Sequence, residues 1–152
     1  MSTFRFKLQT ILRLRSAERD SRREELAKAH RAEEILRGQQ RQLQQELADL
    51  KETTRRLSEP GRGDVDGLLR THRYELLLRI QTQQLAAQMA QVQAETERRR
   101  LAVVEADRQV RVLEKLRERQ LLAHRQQAEK QEAKQLDEVA ALSYARNAEG
   151  ES

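Results

Sequence analysis

The chain has 152 residues, of which 36% are charged, 37% hydrophobic and only 3% aromatic, with a net charge of +5. Globular domains average roughly 45–50% apolar residues, so a three-dimensional core of ordinary size is excluded, whereas a narrow apolar stripe along helices is not. The absence of cysteine excludes disulfides and thiolate chemistry.

The first element begins near the N-terminus. Phe4-Arg5-Phe6-Lys7 places charges where a secretion signal would carry its apolar run. From about residue 3 to 57 the chain is rich in Arg, Glu, Gln, Leu and Ala, all strong helix formers. Leu36, Leu43, Leu50 and Leu57 recur at seven-residue spacing, and Leu12, Leu26 and Leu47 occupy the companion heptad position. Arg15, Arg19, Arg22, Glu33 and Gln40 also fall on this seam, weakening its packing while helping to set register.

Helix breakers then cluster. Pro60, Gly61, Gly63 and Gly67 lie within residues 58–67, which predicts a turn. A second helix is expected from about 68 to 146, followed by a disordered tail over about 147–152. Leu78, Leu85, Val92, Ala106 and Leu113 continue one heptad position, and Met89, Thr96, Val103 and Val110 the other.

Two long helices joined by one short turn are antiparallel neighbours. The expected fold is therefore all-α: one domain over 1–152, a long two-helix antiparallel coiled-coil hairpin with a C-terminal helical overhang. Folding at the turn sets Leu36 near Val92, Leu43 near Leu85 and Leu50 near Leu78. The same register brings residues 4–12 against Leu113–Leu122, both locally apolar. Roughly the last 25 residues, at 1.5 Å of rise each, then extend past the first helix. They still carry Leu136, Val139, Ala140, Leu142 and Tyr144.

Charge is uneven. Residues 1–23 hold seven Lys/Arg against Glu18 and Asp20, and residues 98–119 hold eight against four acids. This basic zone is either a solvated face or a docking surface for an acidic partner. Nucleic acid is disfavoured, because aromatic side chains for base stacking are nearly absent and no zinc-finger, RRM or helix-turn-helix signature occurs. A basic-region zipper is excluded by the glycine-rich turn.

No catalytic, cofactor or metal site is expected. His30, His72 and His124 are far apart and lack ligand spacing, and no phosphate-binding glycine loop or nucleophile elbow occurs. No segment reaches the length of a membrane span, and the start of the chain reads as seam packing rather than a membrane anchor. The run Tyr74–Ile80 holds more apolar residues than a two-stranded seam needs. Leu76, Leu77 and Ile80 cannot all face the seam, which marks a partner surface, a wider seam or self-association.

Residues 4–15, FRFKLQTILRLR, resemble the opening of the bacterial flagellar FliJ proteins. Leu113–Gln120 is similar to a stretch of that family's second helix, and Lys134–Ala140 to its C-terminal acidic-apolar motif. The resemblance implies a non-enzymatic, cytoplasmic component of the flagellar type III export apparatus, peripherally associated with the cell membrane. It also implies a stalk that enters the ring of the export ATPase, reaches the membrane export gate and escorts empty export chaperones. On that reading Arg13, Arg15, Arg19, Arg22 and Arg23 are the candidates for ring docking, and Leu76, Leu77 and Ile80 for gate contact. The alternatives are the stalk of a virulence-type secretion system, a generic coiled-coil tether and, last, a basic nucleic-acid-binding hairpin.

Overall fold

The computed structural model describes residues 2–61 and 63–151. Met1, Ser152 and Arg62 of the expected turn lie outside the described residues. Two helices account for almost all of the chain, α1 (Gln9–Leu57) and α2 (Val65–Gly150). They pack against each other as an all-α helical hairpin. The chain divides into two compact units, one of residues 1–18 with 106–152 and one of residues 19–105.

In the unit of residues 19–105, α2 turns the same side inward at Thr71, Glu75, Leu78, Thr82, Leu85, Met89, Val92, Thr96 and Arg99, each buried or half-buried. The spacing alternates four and three, as a coiled-coil seam requires. Leu78 is 1% exposed, and Leu85 and Met89 are 6% exposed. From α1 come Leu26, Ala29, Glu33, Leu36, Gln40, Leu43, Leu47, Leu50, Thr54 and Leu57. Leu43 and Leu85 line the same groove, as the expected register requires. The threonines are accommodated because each hydroxyl donates to a carbonyl one turn back. Thr71 bonds Gly67 at 2.6 Å, Thr82 bonds Leu78 at 2.8 Å and Thr96 bonds Val92 at 2.8 Å.

The turn explains where α2 starts. Helix α1 ends with Arg55 and Arg56 in its last turn, where cations oppose the negative end of the helix dipole. The Ser58 amide and hydroxyl both donate to the Thr54 carbonyl, at 3.0 and 2.8 Å. Pro60 follows and blocks continuation. Gly61 and Gly63 take φ of 101° and 39°, values that side chains resist. Asp64 then caps α2, its Oδ1 accepting from the Gly67 amide at 3.0 Å. Gly67, expected to be a breaker, thus lies inside the first turn of α2. A Cβ there would come within 2.5 Å of the Asp64 carboxylate, so the glycine makes room for the cap.

In the other unit, residues 2–6 are not helical, and α1 begins at Gln9 rather than near residue 3. Phe4, Phe6 and Leu8 alternate with Arg5 and Lys7, and alternation suits a non-helical strap with one face inward. Phe6, Leu12 and Val110 form its core, with Phe4, Leu8, Leu113 and Leu116 packed around them. The contact expected between residues 4–12 and the Leu113 region is therefore present. Helix α2 continues to Gly150, past the expected end near 146, and residues 125–151 are all exposed.

Candidate docking surfaces

All five candidate arginines lie on α1, but they are not equivalent. In the unit that holds the termini, Arg13 and Arg15 are exposed, and Arg15 pairs with Glu18 at 3.1 Å. In the other unit, Arg22 pairs with Glu25 at 3.4 Å and Arg23 is exposed. Arg19 differs: its side chain is only 22% exposed, it reaches Asp20 at 3.3 Å, and it belongs to the seam. Surface pairs of this kind are weak, so the exposed guanidinium groups can be drawn to an acidic partner at little cost.

In the unit of residues 19–105 the two helices build one charged groove. Arg22, Glu25 and Lys28 of α1 face Glu95, Arg98, Arg99 and Ala102 of α2 across it. Four cations and two carboxylates share this groove, which therefore favours anions. Its geometry is set by Arg99, which donates to Glu95 at 2.8 Å and crosses to the Glu25 main-chain carbonyl at 2.7 Å. Hydrogen bonds from Arg98 and then Arg99 hold the Glu95 carboxyl below its ordinary range. A hydrogen bond from Arg100 does the same to Glu97, and Arg98 and Arg100 are raised in return by Glu95 and Glu97. Heptad counting placed Arg99 on the seam; its bond to the facing backbone carbonyl carries no sequence signal.

The apolar candidates are exposed. Leu76, Leu77 and Ile80 are 50%, 49% and 52% exposed. Tyr74 beside them donates to Glu46 of α1 at 3.2 Å, and the Glu46 charge raises the phenol's pKa. This patch is anchored by Leu78, which is inward and fully buried in the same turn.

The histidines do not converge. His30 and His72 are exposed, and His124 lies against the Phe4 ring with centroids 5.7 Å apart. Among the described residues no group of His, Asp or Glu is arranged to hold a metal ion, and no helix is long and apolar enough to cross a membrane.

The profile of the flagellar FliJ protein family matches residues 4–149. The chain belongs to the flagellar FliJ family. The match takes in the N-terminal strap, the turn and nearly all of α2, so every candidate surface lies within the part that is FliJ-like. No curated protein and no solved structure gives a significant match.

Proposed function

We propose that this FliJ-family hairpin is a non-enzymatic stalk of the flagellar type III export apparatus. It binds the hexameric export ATPase, favours ring assembly and turnover, and links the ring to the membrane export gate and to export chaperones. The observation that carries this reading is the family match over residues 4–149. Two features support it. The exposed Arg13, Arg15, Arg22 and Arg23 offer charge to an acidic ring lining, and Leu76, Leu77 and Ile80 offer apolar contact to a gate protein. Arg19, half-buried on the seam, contributes to ring docking through hairpin geometry more than through direct contact.

A single stiff hairpin in a six-fold ring cannot touch all subunits alike. It therefore stabilises one arrangement of subunits over others, and differential contact is what shifts an equilibrium. The protein would act in the cytoplasm at the inner face of the membrane, held there by its partners and not by insertion.

The test is binding of the purified chain to the flagellar export ATPase. Reversing Arg13, Arg15, Arg22 and Arg23 to Glu should weaken binding and its salt dependence, with helicity by circular dichroism unchanged. Equal binding by the reversed chain removes the electrostatic docking surface. No binding by either chain removes the ATPase partner and leaves a coiled-coil tether.

A further inference from the structure

Helix α2 carries a second seam. About half a turn around the helix from its buried residues, positions 69, 73, 76, 80, 83, 87, 90, 94, 97 and 101 repeat at the same four-three spacing. Every one of them is exposed. The large residues are Leu69, Leu76, Ile80 and Leu101, each half in solvent, and the middle of the stripe is small: Ala87, Ala90 and Ala94. A lone surface leucine is ordinary, but a heptad stripe of this length is not.

We infer that the outer face of α2 pairs antiparallel with the same face of a second copy of this chain. The occupant follows from complementarity along the stripe. When one copy runs against the other with Leu69 opposite Leu101, every other layer is matched. Arg73 meets Glu97, the two oppositely charged side chains of the stripe. Leu76 meets Ala94, Ile80 meets Ala90 and Gln83 meets Ala87, so large faces small in the layers around the axis. By the two-fold axis each layer occurs twice. Sliding the pairing by a heptad in either direction separates Arg73 from Glu97, so charge fixes the register. The flanks near the axis are neutral, with Gln84, Ala86, Gln91 and Gln93, and present no repulsion to a copy. Arg79 and Arg98 at the outer flanks are held by Glu75 and Glu95 of their own helix. Glu97 already accepts from Arg100 of its own helix at 2.7 Å, so in the pair its carboxylate is shared between that Arg100 and Arg73 of the copy.

Leu76 and Ile80 are also in the proposed gate contact, so the pair would cover that surface and the two uses exclude each other. The pairing itself is measured on the purified chain alone, and its failure leaves the export reading as it stands.

The mass of the full chain is followed by light scattering and sedimentation as concentration rises. The expected result is a monomer–dimer equilibrium that Ile80→Asp abolishes. Arg73→Glu should weaken association by about tenfold or more, because two layers then hold like charges, and adding Glu97→Arg should recover it. These positions are exposed, so the hairpin should keep its helicity in each variant. Orientation is read with single cysteines, since the chain has none of its own. Leu69→Cys mixed with Leu101→Cys should cross-link to each other in preference to themselves. A chain that stays monomeric at every concentration overturns the inference. So does a dimer indifferent to Ile80→Asp, which would place association elsewhere, as on the exposed Leu136–Tyr144 face. Preferential cross-linking of Leu69→Cys to itself overturns the antiparallel arrangement.

Discussion

The two units of this hairpin solve the same packing problem with different means. The unit that holds the termini concentrates its apolar residues: Phe6, Leu12 and Val110 are buried together, with Phe4, Leu8, Leu113 and Leu116 around them. The unit of residues 19–105 spreads them along a seam and interrupts them with Thr71, Thr96, Glu33, Gln40 and Arg99. A cluster gives local strength but can be lost as a block when one contributor is removed. A punctuated seam is weaker per turn, yet polar layers fix which residues face each other. Register at the charged groove depends on that, since Arg99 must reach the Glu25 carbonyl.

The largest expected effect comes from the seam's tightest point. Leu78→Ala should cost about 3 kcal/mol, because a fully buried leucine loses both its burial and its packing neighbours. Chemical denaturation of the whole chain should report it as a lower midpoint. Next is Phe6→Ala in the cluster. A non-helical strap can peel away without unfolding the helices, so the loss should be local. Amide exchange at Gln9 and Leu12, whose amides donate to the Phe6 and Leu8 carbonyls, should accelerate while the denaturation midpoint moves less than for Leu78→Ala. An equal global shift would mean that the strap and the seam are one cooperative unit.

Arg99→Ala is smaller, about 1 kcal/mol, because the side chain is partly solvated and its charged hydrogen bonds are discounted accordingly. Its sharper consequence is geometric. Spin labels on residues 25 and 102 should show a broader distance distribution in the variant.

The smallest effect is that of pH. Glu52, Glu95 and Glu97, all in the unit of residues 19–105, have pKa values lowered by hydrogen bonds from Arg55, Arg98 and Arg100 respectively. A lowered carboxylate contributes stability above its unfolded value of 4.5 and loses it as pH falls through the folded value. Thermal midpoints should therefore be flat above that point and fall modestly below it, and high salt should reduce the difference. A midpoint that rises on acidification would contradict the sign of these pairs.

Much of this architecture was legible in the sequence because a heptad repeat encodes secondary structure and facing residues together. Leu78, Leu85 and Met89 are buried where counting by sevens placed them, Leu36, Leu43, Leu50, Leu57 and Val92 are half-buried on the same seam, and Leu113 is half-buried against the cluster of the other unit. The end effects were not legible. Phe4 and Phe6 fit a helical pattern as readily as an alternating one, and the strap is seen only once Phe6 is found packed with Leu12 and Val110. Gly67 reads as a breaker until Asp64 is seen to cap the helix over it. Composition showed the arginines as a basic zone. Their burial, which separates Arg19 from Arg13, Arg15, Arg22 and Arg23, depends on small angular differences around α1 that a seam polar residue can settle either way.

The proposal that the hairpin is a stalk meets its most direct test in ATP hydrolysis by the flagellar export ATPase. The rate is measured with and without this chain over a range of ATPase concentrations that spans ring assembly. A stalk should stimulate most where rings are only partly formed, and reversal of Arg13, Arg15, Arg22 and Arg23 should reduce that stimulation. Hydrolysis that is indifferent to the chain at every concentration would contradict the account.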